Sequence, residues 1–359
     1  MKRSTTMALG AGILAGSALA LLEQRKRRRR NSLRIQSQEG IDLEEYVFLG
    51  GIEQYLYHRG ENRSNPVVLF LHSGPGRPGR ALLERFQTGW EHRVTVVHWD
   101  QRGTGRTYRH SPNPLWEANL ERMVEDCDEV ISYLKRKYHT DRIILLGHGW
   151  GSLLAAAYLK RYPKGVEAYI GVGQLLSPRD QEYQRFSQTM EAALEADNGR
   201  DIARLRAAEP YPGSFGHFQK QAGRVHRIEK RYQRPTSAGV CPLDSPFYTL
   251  TDWLCTLRPG ARKVKQGLLE ELYSFHLEAL GTTYQVPFFL IHGQEDAHSP
   301  CEDARVFLEQ VQAPLRDFYP IAGAGHQPML DRPENFRCAL FSILDQLDEL
   351  RETPEDEED

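Results

Sequence analysis

The sequence is poor in cysteine for its length. Five thiols, Cys127, Cys241, Cys255, Cys301 and Cys338, are scattered over 359 residues, an odd number at wide spacings. Such a pattern argues against a disulfide framework, and the thiols read as reduced and mostly structural. No Cys-x-x-Cys pair and no histidine-rich spacing occurs, so neither a metal nor a cofactor is expected. An internal repeat is also missing, which excludes a solenoid. The body lacks positive charge. Residues 1–35 hold nine Lys/Arg against one Glu, a net of about +8, and the total of −2 leaves about −10 for the remainder. An acidic body lacks the basic surface that nucleic acid demands, so no nucleic-acid partner is expected. What is present is ordinary for a soluble globular protein: 40% hydrophobic and 26% charged residues, in a length that suits one domain with an insertion or two domains.

Long apolar runs are scarce too. "MALGAGILAGSALALL" (Met7 to Leu22) is sixteen uncharged, small or apolar residues, followed closely by "RKRRRR" (Arg25 to Arg30). As a helix its sixteen residues span roughly 24 Å, a little short of the ~30 Å hydrocarbon core. Ala8, Gly12, Gly16 and Ala20 form a small-residue stripe suited to close helix contact. The basic run that follows opposes translocation, so an uncleaved anchor over residues 7–22 is expected, with the body on the cytoplasmic side. "ALA" (Ala18 to Ala20) leaves open a cleaved signal peptide and export, and a basic leader touching anionic lipid is the third reading.

After a polar linker to about Asp42, "EYVFLGGIEQYLYHRG" reads as two strands turning at Gly50-Gly51. "PVVLFLH", "VTVVHW", "RIILLG" and "EAYIGVG" follow as short apolar runs of the kind buried on both faces. Helix-like stretches separate them, notably Asn119 to Tyr138, whose Leu120, Met123, Val124, Cys127, Val130, Ile131 and Leu134 share one face. Alternation of this kind implies a parallel α/β sheet. It stops from about residue 176 to 284, a polar and mostly helical block, and resumes with "VPFFLIHG", "RDFYPI" and a closing helix. The expected organisation is therefore an N-terminal segment over 1–35, a core over 43–175 and 285–350, a helical cap over 176–284 and an acidic tail over 351–359.

Five motifs fall at the carboxyl ends of predicted strands, where open α/β sheets bind ligands. They are "HSGPG" (His72 to Gly76), "WDQRGTGRT" (Trp99 to Thr107), "GHGWGS" (Gly147 to Ser152), "GQED" (Gly293 to Asp296) and "GAGHQP" (Gly323 to Pro328). In this order, over roughly residues 43–350, they resemble the proline iminopeptidase branch of the α/β-hydrolase superfamily. That branch carries an HGGPG loop, a WDQRG segment, a GxSWGS elbow, then an acid and a histidine. The resemblance implies an α/β-hydrolase fold with an inserted helical cap. It also implies hydrolysis of a peptide, amide or ester by a nucleophile–acid–histidine triad. Asp296 takes the place of the acid and His326 that of the general base. Backbone N–H groups of Ser73 or Gly74, with that of Trp150, take the place of the oxyanion hole. Asp100 and Arg102 are expected as scaffold, paired with each other in a buried ion pair. A small molecule or short peptide is the expected substrate, its free amine held by cap carboxylates. Glu182, Glu191, Glu195, Glu209 and Glu229 are available for that, and Tyr248 and Trp253 for an apolar pocket.

The nucleophile itself is missing. The centre of the elbow is Gly149. A turn that forces positive φ strains serine and not glycine, so Gly149 keeps the turn, is expected to relax it, and removes the hydroxyl. Ser152 lies one helical turn on and cannot replace it. Three readings are compatible with glycine there: a relative that binds without cleaving, an enzyme in which His326 and Asp296 activate water, or a nucleophile removed on purpose.

Overall fold

The computed structural model describes residues 20–112, 118–233 and 242–352. Its centre is an eight-stranded sheet in the order β1-β2-β4-β3-β5-β6-β7-β8. The strands are β1 (Ile41–Leu49), β2 (Ile52–Gly60), β3 (Val67–Leu71), β4 (Thr95–Asp100), β5 (Ile143–His148), β6 (Val166–Val172), β7 (Phe288–Gly293) and β8 (Arg316–Ile321). β1 and β2 form the hairpin expected at Gly50-Gly51, with Leu49 opposite Ile52, and β2 runs antiparallel to β4. Every other pairing is parallel.

The uninterrupted apolar runs follow from burial on both faces. In β5, Ile143 and Leu145 join one apolar cluster and Ile144 and Leu146 the other. In β7, Phe288 and Leu290 face one way, Phe289 and Ile291 the other. Alternate side chains leave a strand on opposite sides, so two covered faces demand apolar residues at every position. The Leu120–Tyr138 and Trp150–Arg161 helices cover the first face, the Pro333–Glu352 helix the second.

Between β6 and β7 the chain forms the inserted helical cap, including helices Pro178–Glu195, Gly199–Arg206, Phe215–Glu229, Leu250–Thr256 and Pro259–Tyr273. Its own apolar cluster is small, with Phe186, Ala193, Leu205, Ala208, Tyr211, Val225 and Ile228.

The basic run of the N-terminal segment makes contacts that the sequence does not announce. Residues 20–32 are helical and lie on the body: Arg30 pairs with Glu44, Arg29 with Glu84 at 3.4 Å, and Lys26 Nζ donates to the Tyr248 carbonyl at 2.9 Å. Carboxylates and a carbonyl on the acidic body supply partners that the segment's own composition does not reveal. No helix among the described residues is long and apolar enough to cross a membrane. Residues 7–19 of the expected anchor, Cys241, and residues 353–359 of the acidic tail lie outside the described residues.

Candidate active site

β5 ends at His148, and the next residue, Gly149, turns the chain directly into the Trp150–Arg161 helix. Gly149 has φ 52° and ψ −114°. That is a sharply strained conformation for any residue with a side chain, so the expected relaxation has not occurred. Its surroundings hold the turn. Gly149 N–H donates to the Val172 carbonyl at 3.0 Å, and the Gly149 carbonyl accepts from both Ser152 N–H at 2.9 Å and Ser152 Oγ at 2.6 Å. Ser152 Oγ also accepts from Leu175 N–H at 3.1 Å, so this hydroxyl clamps the turn and is committed to it. Gly151 allows the approach: a Cβ there would lie 2.1 Å from the Leu71 carbonyl oxygen.

The loop after β7 supplies Asp296. Its Oδ1 accepts from the backbone N–H groups of His298 (2.8 Å) and Ser299 (3.0 Å), while its Oδ2 faces His326 Nδ1 at 2.8 Å and His292 Nε2 at 3.3 Å. Burial opposes charge on this carboxylate. The hydrogen bonds and charges of His326 and His292 outweigh it and hold Asp296 well below the usual carboxylate range. The far side of the imidazole points at the elbow. His326 Nε2 lies 3.0 Å from where a Cβ on Gly149 would stand, and Ser73 Cβ lies 3.3 Å from that same point. Gly149, Asp296, His326 and Ser73 therefore converge, although they are spread over more than 250 residues of sequence.

Ser73 and Gly74 sit in the loop after β3, where Gly74 takes φ 75°. Trp150 is the first residue of its helix, and first-turn N–H groups have no partner within the helix. Its indole Nε1–H donates to Gln101 Oε1 at 3.0 Å, which fixes the ring behind the elbow. The expected oxyanion donors thus flank the turn from two sides, with the helix dipole directed the same way.

Two residues that sequence reasoning missed complete the surroundings. His148 Nε2–H donates to the His326 carbonyl at 2.8 Å, and the two rings lie 5.2 Å apart. His298 lies 5.0 Å from the His326 ring on another side. Burial pushes the imidazoles of His148 and His298 down to about 3, so both stay neutral at ordinary pH. Each stands within two residues of a recognised motif position, in "GHG" and "EDAHS", and that adjacency was the available signal.

The expected Asp100–Arg102 pair is not formed. Asp100 closes β4 and bonds Arg80 Nε at 3.0 Å, while Arg102 clasps Asp126 with two bonds of 2.8 Å and donates to the Gly50 carbonyl at 2.6 Å. After β4 the chain enters a turn that sends neighbouring side chains to opposite sides. Both residues are buried scaffold, with different partners from those expected. Arg80 bridges further, to Asp252 of the cap at 3.4 Å and to the Phe247 carbonyl.

Of the cap carboxylates, Glu191, Glu195 and Glu209 are exposed. Glu182 and Glu229 are drawn inward by Arg185, which bonds both, with His226 (2.9 Å) and Tyr211 (2.8 Å) completing the shell of Glu182. Burial opposes the charge on Glu182, yet His226 and Arg185 lower it to about 2. Tyr248 and Trp253 line a cavity of about 810 Å³ that opens beside Ser73 and His148. No group of three or more His, Cys, Asp or Glu among the described residues could hold a metal ion.

The chain is similar to known proteins over most of its length. Residues 80–198 match the family model described as serine aminopeptidase, S33. Probable aminopeptidase YbaC of Bacillus subtilis is 27% identical over 85% of this chain and 97% of its own length. The proline iminopeptidase of Lactobacillus delbrueckii subsp. bulgaricus is 25% identical over 84% and 97%. The crystal structure of proline iminopeptidase from Mycobacterium smegmatis superposes with a TM-score of 0.65 at 18% identity, covering 86% of this chain and all of that one, which bears on the fold. Sheet order, inserted cap and relatives together give this chain the α/β-hydrolase fold, in a sequence similar to the proline iminopeptidases.

Proposed function

We propose that the chain is a hydrolase of peptides, amides or esters in which His326 acts as general base on water, in the space that a serine side chain would fill. The observation that carries this is the bare approach of His326 Nε2, 3.0 Å from the missing Cβ, over an elbow that keeps its strained form. In this reaction the water oxygen bonds to the substrate carbonyl carbon while His326 Nε2 takes the proton. Asp296, ionised through its histidine partners, balances the imidazolium. The carbonyl oxygen, now an oxyanion, is held by the N–H groups of Trp150 and of Ser73 or Gly74. Collapse breaks the bond to the leaving group, which receives the proton back from Nε2–H.

A second reading rests on Ser73. Its hydroxyl makes no hydrogen bond among the described residues, lines the cavity, and stands across the same point in space as His326 Nε2. In that reading Ser73 Oγ takes the acyl group. A third, binding without turnover, is favoured by the missing elbow hydroxyl alone.

One set of assays separates them, on aminoacyl-arylamides and short-chain aryl esters. Gly149→Ser is expected to raise kcat by about two orders of magnitude or more, since base and oxyanion donors are in place. His326 must give way by a few tenths of an ångström to admit the new Cβ. Gly149→Ser/His326→Ala falls back. Activity of the unaltered chain that His326→Ala abolishes and Ser73→Ala spares supports activated water. Fluorophosphonate labelling of the unaltered chain, lost in Ser73→Ala, selects the second reading. A Gly149→Ser variant silent on every substrate, beside a chain that binds a ligand, overturns the hydrolase reading.

The apolar run over residues 7–22 is further proposed as a membrane anchor with the body on the cytoplasmic side, supported by the basic residues that follow it. The full chain is then expected to sediment with membranes and resist carbonate extraction. A mature chain starting near Leu21 would show export after cleavage instead.

A further inference from the structure

The charges around the cavity beside Gly149 are one-sided. Lys265, Arg77, Arg262 and Lys230 line it, and among the described residues its wall contains no aspartate or glutamate. Among the described residues none of the four makes an ion pair or a side-chain hydrogen bond, whereas the buried Arg80, Arg102 and Arg185 are each paired with a carboxylate. Lys265 is the telling one. It is half-buried, and its side chain comes within 3.4 Å of where a Cβ on Gly76 would lie, next to the predicted oxyanion loop. Burial, and then the Arg77 cation, hold its ammonium below the usual lysine range. Arg77 is exposed, so water screens part of that repulsion, and an incoming anion relieves what remains on the half-buried Lys265.

The cap carboxylates point the same way. A subsite for a substrate ammonium needs a free carboxylate. The two that reach inward, Glu182 and Glu229, are both bound to Arg185. Ser73, His148, Thr256 and Gln327 are polar, and most of the remaining wall is apolar or aromatic, Tyr108 and Met329 included. Trp253 and Leu257 are 38% and 40% exposed, and both also line the cavity. A wall of that kind takes hydrocarbon.

We propose that this cavity binds an anionic amphiphile, an apolar chain or ring carrying one carboxylate or phosphate, with Lys265 and Arg77 on the anion and the Tyr108–Trp253–Leu257 side on the hydrocarbon. The proposal deepens the hydrolase reading by naming the class of molecule that reaches His326, and departs from an amine-bearing peptide.

Binding alone tests it, on the full chain and without turnover. Decanoate, decylamine, 1-decanol and acetate are titrated calorimetrically, each below its micelle concentration. Decanoate is expected to bind at least tenfold more tightly than decylamine, decanol or acetate, and more weakly as salt is raised. Lys265→Gln and Arg77→Gln, side chains without buried partners whose loss leaves the fold intact by thermal melting, are each expected to weaken decanoate by about tenfold. Decylamine or decanol binding as tightly as decanoate overturns the proposal, as does decanoate binding that ignores both substitutions. A silent Gly149→Ser variant would sink the hydrolase reading and leave this selectivity standing. Loss of the selectivity beside an active Gly149→Ser variant would do the reverse.

Discussion

The sheet and the cap of this protein are held together by different means. The sheet buries apolar side chains on both faces, and the titratable groups deep within it, such as His98 and His148, are kept neutral. The cap has a small apolar cluster and relies on charge: Arg185 between Glu182 and Glu229, and Asp201 beneath Arg231 and Tyr232. Arg80 joins the two halves by bonding Asp100 of the sheet and Asp252 of the cap. The difference teaches where each region is vulnerable. Buried histidines held neutral weaken the fold when charge is forced on them, and buried ion pairs fail when a single partner is removed.

Acid should give the larger effect. Burial holds His72 at about 4 and His98, His148 and His298 at about 3, all below the ordinary histidine value of about 6.5. The unfolded chain therefore takes up protons that the folded chain refuses. Stability is fully present above about pH 6.5 and is lost as pH falls toward 3–4. Each histidine steepens the loss by up to about 1.4 kcal/mol per pH unit, up to about 5.5 for the four together. Glu182, lowered to about 2, keeps its charge through this window, so its pairing with Arg185 survives while the sheet gives way. Denaturant unfolding at pH 7, 6 and 5 measures the slope, and a flat profile would break the comparison.

Removing Arg80 should come next. Arg80→Met keeps much of the volume and leaves Asp100 and Asp252 buried without their guanidinium, at a cost of about 3–5 kcal/mol. Adding Asp100→Asn and Asp252→Asn should restore part of that. A loss below about 1 kcal/mol in the single variant would mean that the two halves are joined by something else.

Much of this molecule was legible in its sequence because the informative signals are local. Unbroken apolar runs such as "RIILLG" mark strands covered on both faces, and β5 is found there. The paired glycines at 50 and 51 mark the hairpin, and the glycine-rich motifs mark strand ends, because each signal lies within a few residues of the geometry it dictates. Ion pairing is not local. Asp100 was matched with Arg102 by proximity in sequence, yet its partner is Arg80, twenty residues back, and Arg102 finds Asp126 on a helix covering the sheet. Cap glutamates read as amine binders because Arg185, which takes both inward-facing ones, carries no signal of burial in a polar helix. The basic helix over residues 20–32 was missed for the same reason, since its partners Glu44, Glu84 and the Tyr248 carbonyl lie far along the chain.

The turn at Gly149 has one more consequence, which concerns what mutation can and cannot erase. A triad is made of side chains, and any of its members can vanish by a single replacement; position 149 here carries no side chain at all. The N–H of Trp150 behind it belongs to the main chain, and so does the aligned row of peptide dipoles in the Trp150–Arg161 helix that aims positive potential at the same spot. No exchange of one residue for another deletes these, short of proline or a broken helix. The electrostatic half of the machinery is therefore inherited with the fold, while the reactive half is written residue by residue, and a lineage can lose and regain the second without rebuilding the first.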